Sequence, residues 1–227
     1  MTQRSILAGT NQTIIIKVGG SVTVRGQAGD RLIVETKGLG GLTVERRRES
    51  EIGRARAALG EHVLFDVRLK LPGSQGEDEV IEVKMGGSGE VLVPFESNLK
   101  VYAGKDIDVQ GIRGQVDAYS GLNLTLGDVG RLGNASAGWT MNIDCQTMVG
   151  TNASFGAGSD LRFHVADLTS AHVRVKDIGG YWEARIGSGE KSVTLKSGGD
   201  VTLVTNQKVE PQPPDYILGK IERPSTT

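Results

Sequence analysis

Residues Ser97–Gly130 read SNLKVYAGKDIDVQGIRGQVDAYSGLNLTLGDVG, and apolar and polar residues alternate along most of this stretch. Successive side chains of a β-strand point to opposite faces, so this alternation is typical of a strand that is buried on one face. Glycine, asparagine, aspartate and serine stand between the alternating runs, where turns favour them. Similar runs extend from Thr13–Lys17 to Asp200–Leu203. The sequence therefore predicts an all-β chain of short strands.

The inward positions of these strands recur at a nearly constant spacing. They are separated by steps of 8, 9, 8, 8 and 9 residues, at Leu99, Ile107, Val116, Leu124, Leu132 and Met141. A short fixed period indicates a repeat architecture and leaves no room for helical connections. An antiparallel meander, as in a barrel or sandwich, and a β-solenoid both fit the spacing. We favour the solenoid, because the inward residues are small and aliphatic and the turns lack the Asn-Gly or Asp-Gly pairs of tight hairpins.

The chain is predicted to form one domain. Residues 1–10 are a lead-in, residues 11–205 form the strand-repeat domain, and residues 206–227 form a proline-rich linker and an extended tail. Residues 45–60 are charged and rich in alanine, which predicts a short helical insertion or cap that ends at Gly60. The apolar tail residues Tyr216, Ile217 and Leu218 are expected to pack on the body or to dock elsewhere.

Composition and charge exclude several classes of protein. The net charge is −1, which lacks the basic excess of a dedicated nucleic-acid binder. Cys145 is the single cysteine, so no disulfide forms within the chain. No apolar run approaches the ~18 residues of a membrane span, and no signal segment is visible. We expect a cytoplasmic protein without a membrane span; export by a route that the sequence does not reveal stays an alternative.

No motif points to a metal, a cofactor or a catalytic centre. The three histidines stand at no ligand spacing, and no phosphate loop or nucleophile elbow occurs. Asp106, Asp108 and Asp117 are predicted to project outward, with Lys100 and Arg113 nearby, and such acids could serve general acid–base catalysis. A solvated polar face explains them better, so we predict no enzyme, no cofactor and no metal site.

Two aromatic residues of the second half are candidate contacts for a partner. Trp139 and Tyr181 combine a large ring with a polar group and, if exposed, could stack on a sugar or a protein. Trp182 alternates with Ala184 and Ile186, which predicts a core or end-cap position. Cys145 is predicted to be a buried structural thiol, because it alternates with Met141 and Ile143. Together with the tail residues, the predicted partner-binding set is Trp139, Tyr181, Tyr216, Ile217 and Leu218.

Several stretches resemble a bacterial protein family. The run Asn11–Glu35, NQTIIIKVGGSVTVRGQAGDRLIVE, the run Val91–Pro94 and the ladder Ser97–Gly130 are similar to toastrack-type, adhesin-like β-strand-repeat proteins. Bactofilins, which form filaments from β-helical subunits, are a more distant similarity. The resemblance covers residues 11–205 and implies an all-β repeat fold without a set of catalytic residues. Many members of the family look membrane-anchored or exported, and no such segment is visible in this chain.

The predicted architecture suggests how the protein acts. The two ends of a solenoid expose unpaired backbone groups and a slice of apolar core, so either caps or other subunits must cover them. We therefore expect a non-catalytic structural or interaction module that forms homo-oligomers through its ends and faces. An adhesin-like module that binds a protein or a glycan is the first alternative, and a carbohydrate-active β-helix enzyme is the second.

Overall fold

The structure is a computed structural model of the chain, and it describes residues 2–9, 12–37, 41–48, 67–68, 79–212 and 220–222. Within these residues, every regular element is a strand, as the alternating sequence predicts. The strands are β1 (Thr2–Leu7), β2 (Thr13–Val18), β3 (Val22–Gln27), β4 (Arg31–Lys37), β5 (Leu42–Arg48), β6 (Val67–Arg68), β7 (Glu79–Met85), β8 (Ser88–Pro94), β9 (Asn98–Ala103), β10 (Ile107–Ser120), β11 (Leu124–Ala137), β12 (Met141–Met148), β13 (Asn152–Ala157), β14 (Leu161–Val165), β15 (Ala171–Asp177), β16 (Gly180–Ile186), β17 (Lys191–Ser197), β18 (Val201–Val204), β19 (Val209–Gln212) and β20 (Lys220–Glu222).

The strands pair in two ladders that share β10 and β11. The first ladder has the order β1, β4, β8, β3, β10, β11, β12, β14, β18, β20. The second has the order β5, β7, β2, β9, β10, β11, β13, β17, β15, β16, β19, with β6 also pairing with β7. The long strands β10 and β11 turn from one ladder to the other near Gly111 and Asp128, which both have positive φ, at 68° and 48°.

Pairing is parallel in the middle of both ladders; antiparallel pairs occur near the first end of both ladders and near the last end of the second ladder only. Strands β9 to β14 pair in parallel, so the alternative of an antiparallel meander is wrong for this part of the chain. Antiparallel pairs join β1 to β4, β4 to β8 and β5 to β7 at one end. At the other end they join β15 to β16 and β16 to β19. Among the described strands, no pairing closes either ladder into a barrel.

The core consists mainly of aliphatic side chains on the inward face of each strand. The six residues whose spacing predicts an inward position are all exposed by 2% or less, which confirms that prediction. Trp182 is buried with Ala184 and Ile186, as predicted, and Phe155 and Phe163 pack with their ring centroids 5.1 Å apart. Burial of each valine, leucine, isoleucine, phenylalanine or methionine side chain in this core contributes about 1.5–3 kcal/mol to the free energy of unfolding.

One corner of the chain is built from glycines that lie above one another. We call them the glycine column: Gly19, Gly104, Gly121, Gly138, Gly158 and Gly198. A Cβ atom on Gly121 would lie 2.2 Å from the carbonyl oxygen of Gly104, and one on Gly138 would lie 2.1 Å from that of Gly121. The Gly121 N–H donates to the Ala103 carbonyl at 3.0 Å, which holds neighbouring layers in close contact. Only glycine fits this spacing, because no side chain has room beside the next carbonyl.

A second column, next to the glycines, consists of hydrogen-bonded polar side chains. We call Ser21, Asp106, Asn123 and Thr140 the polar column. Ser21 Oγ donates to Asp106 Oδ2 at 2.9 Å, and Asn123 Nδ2 donates to Asp106 Oδ1 at 2.8 Å. Thr140 Oγ1 donates to Asn123 Oδ1 at 2.6 Å, across a separation of 17 residues. The column satisfies polar groups at the start of successive strands and fixes their register.

Two predictions, one about residues 45–60 and one about the stretch after Thr205, need correction where the structure describes them. Within the predicted helical insertion of residues 45–60, Glu45–Arg48 belongs to strand β5, because it pairs with β7; residues 49–60 lie outside the described residues. The strands do not end at Thr205, since β19 pairs with β16 and β20 pairs with β18. Part of the predicted linker and tail therefore extends the two ladders.

Candidate functional site

Trp139 and Tyr181 are both exposed, by 56% and 48%. Trp139 follows Gly138 at the corner between β11 and β12, whereas Tyr181 lies in β16. The described contacts do not bring the two residues together. Tyr216, Ile217 and Leu218 lie outside the described residues, so the predicted partner-binding set does not form one site in the described part of the chain.

Trp139 belongs to a small apolar surface at the glycine corner. Its backbone N–H donates to the carbonyl of Leu122 at 2.9 Å, so the two residues occupy neighbouring layers. Leu122 is 45% exposed, and its own N–H donates to the carbonyl of Lys105. We call Leu122 and Trp139 the corner pair; it places two large apolar side chains on a largely polar surface.

Tyr181 belongs to a network of charged side chains on β15 and β16. Its hydroxyl donates to Glu183, His172 Nε2 lies 2.6 Å from Glu183 Oε2, and Arg174 Nε lies 3.4 Å from Glu183 Oε1. The hydrogen bond from Tyr181 is the main cause that lowers the pKa of Glu183, and it raises the pKa of Tyr181. Both Glu183 oxygens have partners within the network, so its main effect is to join the two antiparallel strands.

The three aspartates considered for catalysis are all engaged in hydrogen bonds. Partial burial acts to raise the pKa of Asp106, but hydrogen bonds from Ser21 and Asn123 outweigh it and bring the pKa below its usual value. The hydrogen bond from Arg25 lowers the pKa of Asp108. A general acid needs a raised pKa, so neither carboxyl is suited to that role.

Asp117 is buried rather than solvated, with an exposed fraction of 6%. Its Oδ1 accepts hydrogen bonds from the backbone N–H of Asn134 at 2.6 Å and from Asn134 Nδ2 at 3.2 Å. Its Oδ2 accepts one longer bond of 3.5 Å from Gln115 Nε2. The alternation that predicts an outward position did not reveal that most of the surface of this residue is buried.

The groups most often used for metal binding and redox chemistry are placed apart. His164 Nδ1 lies 2.9 Å from Asp144 Oδ1, and His172 contacts Glu183. Among the described residues, no three side chains of the types that bind metals come together in a suitable group. Cys145 is fully buried, as predicted, and burial raises the pKa of its thiol to about 12. A protonated, buried thiol of this kind is a poor nucleophile.

A polar groove lies on the outer face of the second ladder, where the sequence pointed to no binding site. Its volume is about 310 Å³, and it is lined by Thr13, Asn98, Leu99, Lys100, Gln115, Asp117 and Arg131. Asn98 Oδ1 accepts hydrogen bonds from the backbone N–H of Gln115 at 2.9 Å and from Arg131 Nη2 at 3.3 Å. The groove thus combines cationic, amide, hydroxyl and carboxylate groups from four successive strands, β2, β9, β10 and β11.

Two stacked tyrosines lie beside this groove. Tyr102 follows Lys100 by two positions in β9, and Tyr119 follows Asp117 by two positions in β10, so they share the outer face. Their ring centroids are 5.1 Å apart and the ring planes are inclined by 10°. Burial is the main cause that raises the pKa of Tyr119. We call the groove together with Tyr102 and Tyr119 the groove site.

The sequence contains a signal for the groove site that alternation alone does not use. Asn98 and Gln115 are separated by 17 residues, and so are Asp117 and Asn134. A search at this double period aligns Lys100 with Asp117 and Tyr102 with Tyr119, as the strand register does. The single period of 8 or 9 residues hides these columns, because it mixes positions from the two ladders.

Comparison of the chain with protein-family models, with curated proteins and with solved structures gives no match. The similarity to toastrack-type and bactofilin sequences stays a prediction that rests on the residues quoted for it. Within the described residues, no helix has the length and apolar character needed to cross a membrane.

Proposed function

We propose that the chain is a β-solenoid, in which each coil of about two strands stacks on the one before it. The repeated separation of 17 residues supports this architecture, since it relates Asn98 to Gln115, Asp106 to Asn123 and Asn123 to Thr140. The glycine column supports it too, because a Cβ atom on any of its members after Gly19 would meet the backbone of the equivalent glycine in the preceding layer.

The function that this architecture favours is that of a non-catalytic structural or interaction module that self-assembles or scaffolds through its ends and faces. The observation that carries this proposal is the position of the outermost strands. Among the described strands, β1 has β4 as its one neighbour and β19 has β16. A strand at the edge of a ladder is a template for a strand of another chain, and a second copy of this chain supplies one.

Sedimentation velocity or light scattering over the micromolar range tests this proposal. We expect the mean mass to rise with protein concentration, whereas a strict monomer over that range would contradict self-assembly. Neighbouring residues of an edge strand direct their N–H groups to opposite sides, so Arg4→Pro and Ser5→Pro form a matched pair. In one of the two variants the N–H that is removed faces away from β4. That variant should assemble less than the parent, while its melting temperature stays near that of the parent.

A second candidate function is the binding of a protein or a glycan at the corner pair. The observation that favours it is the exposure of Trp139 and Leu122 in adjacent layers, because exposed aromatic side chains are common anchors of binding surfaces. We expect Trp139→Ala to abolish capture on a glycan array or in a pull-down while the far-UV circular dichroism stays unchanged. Ile178→Ala is the control, since Ile178 is 73% exposed elsewhere on the surface. Equal capture by both variants would contradict this role of the corner pair.

A further inference from the structure

The groove site contains two cations that form no ion pair with a carboxylate of the described residues. Neither Lys100 nor Arg131 lies within ion-pair distance of a described carboxylate. Other cations of the same region are paired, as Lys17 is with Glu82 at 3.0 Å and Arg113 is with Glu96 at 3.3 Å. Two unpaired cations at the rim of one groove are complementary to an anionic ligand.

The remaining groups of the groove are suited to hydroxyl groups. Among the described residues, Asp117 Oδ2 accepts one long hydrogen bond of 3.5 Å, and Thr13 lines the same groove. The Gln115 side-chain amide adds a donor and an acceptor next to that carboxylate. A ligand with several hydroxyl groups can therefore both donate to Asp117 and accept from Gln115.

Two tyrosines lie on the same outer face as the groove, each two positions along its strand from Lys100 or Asp117. Tyr102 and Tyr119 are half-buried and stack on each other, so their outer surfaces form one continuous aromatic border. The C–H face of a sugar ring packs well against such a surface. The net charge of −1 gives no further attraction for a nucleic acid.

We propose that the groove site binds an acidic saccharide, with the sugar carboxylate between Lys100 and Arg131 and its hydroxyl groups on Asp117 and Gln115. The volume of about 310 Å³ is at the lower end of the range for small-molecule sites and accommodates one or two sugar rings. The inference shares glycan binding with the second candidate function but places it on a different surface, and it does not depend on self-assembly.

Isothermal titration calorimetry with trigalacturonic acid tests this inference, and neutral galactotriose is the control ligand. We expect the acidic trisaccharide to bind at millimolar concentration or below and the neutral one to bind about tenfold more weakly. Added sodium chloride should weaken the binding of the acidic ligand, because a surface ion pair is screened by salt. Equal affinity for the two sugars, or no binding of either, would overturn the proposal.

Substitutions in the groove test whether the acidic saccharide binds at this site. Lys100→Gln and Arg131→Gln should each weaken the binding of trigalacturonic acid about fivefold or more, since each removes a charge-assisted contact. Lys196→Gln is the control, because Lys196 is an exposed lysine of the same ladder outside the groove. Loss of binding in Trp139→Ala with full binding in Lys100→Gln would overturn the groove assignment and support the corner pair. If sodium phosphate at the same concentration displaces the sugar, the groove is a site for simple anions only, and the proposal of a saccharide site is overturned.

Discussion

The glycine column and the polar column show how single residues determine the distance between layers. A Cβ atom on five of the column glycines would lie 2.1–2.4 Å from a carbonyl oxygen of the layer before it, closer than any van der Waals contact allows. Next to them, Asp106 accepts hydrogen bonds from Ser21 and Asn123, one layer away on either side. At this scale, close approach requires the absence of a side chain at one position and a hydrogen-bonding side chain two positions later.

We predict that Gly121→Ala destabilises the protein by about 2 kcal/mol or more, because either the Gly104 carbonyl or the whole corner must move. Gly156→Ala is the matched control, since a Cβ atom on Gly156 meets nothing within 4 Å. The control should change the free energy of unfolding by about 1 kcal/mol or less. Urea denaturation measures both variants, and a similar loss in the two would refute the role of the glycine column.

The polar column also predicts a dependence of stability on pH. The pKa of Asp106 is lowered in the folded protein, so its ionised form stabilises the fold above the usual aspartate pKa of about 3.9. This stabilisation is lost as the pH falls from about 4 through the lower, folded-state pKa. Between pH 6 and pH 3, the melting temperature of Asp106→Asn should therefore fall less than that of the parent protein.

Differential scanning calorimetry at several pH values measures this effect. Asp200→Asn serves as the control, because the Asp200 side chain is exposed. The control should keep the acid sensitivity of the parent. If Asp106→Asn shows the same loss as the parent, Asp106 contributes nothing to the pH dependence, and Asp108, Asp167 and Glu183, whose pKa values are also lowered, account for it.

At the scale of the strands, the sequence predicted which residues point inward but not which strands pair. Leu99, Ile107 and Val116 are buried as their alternation predicts, because the period of two is a property of each strand alone. Pairing direction depends on where the chain goes after each turn, and alternation is the same in parallel and antiparallel strands. The sequence therefore left the meander open, although the parallel register of β10 and β11 excludes it there.

The end strands show a second limit of sequence reasoning. The stretch Val209–Gln212 contains a proline, which suggested a linker, yet it forms β19 at the edge of the second ladder. An edge strand tolerates proline, because one row of its N–H groups needs no partner strand. Trp139 and Tyr181 are exposed, as a partner contact requires, but the groove site depends on residues from several layers and could not be read from one strand.

Removal of the tail tests the contribution of the end strands. A chain that ends at Thr205 lacks β19 and β20, so β16 and β18 each lose a neighbour. We expect the melting temperature to fall by about 5 °C or more and light scattering to increase, because two new edges are exposed. A chain that ends at Glu222 keeps both strands and is the control. Equal melting temperatures for the two truncated chains would contradict a structural role of β19 and β20.

At the scale of the whole molecule, stability is expected to be highest in the middle of the ladders. Strands β10 and β11 have neighbours on both sides in parallel register, whereas β1 and β20 each have one neighbouring strand among the described residues. In stacked architectures each layer is stabilised mainly by the layers next to it. Terminal layers therefore open more readily than central ones.

Hydrogen–deuterium exchange measured by mass spectrometry tests this gradient. We expect peptides from β10 and β11 to exchange at least about tenfold more slowly than peptides from β1 and β20. Peptides from β12 and β14 should be intermediate. Uniform protection along the chain would instead indicate a single cooperative unit in which the ends are as stable as the centre.

The regular separation along the glycine column also has a genetic consequence. Gly104, Gly121 and Gly138 follow one another at intervals of 17 residues, and Val22, Ile107 and Leu124 lie side by side in successive layers. If recombination removed residues 105–121, Gly104 would be joined to Leu122, and Leu124 would reach the place beside Val22 that Ile107 occupies now. Duplication of the same segment would add one layer in the same way. The length of such a protein can therefore change in evolution by whole layers, without a new turn or a new core.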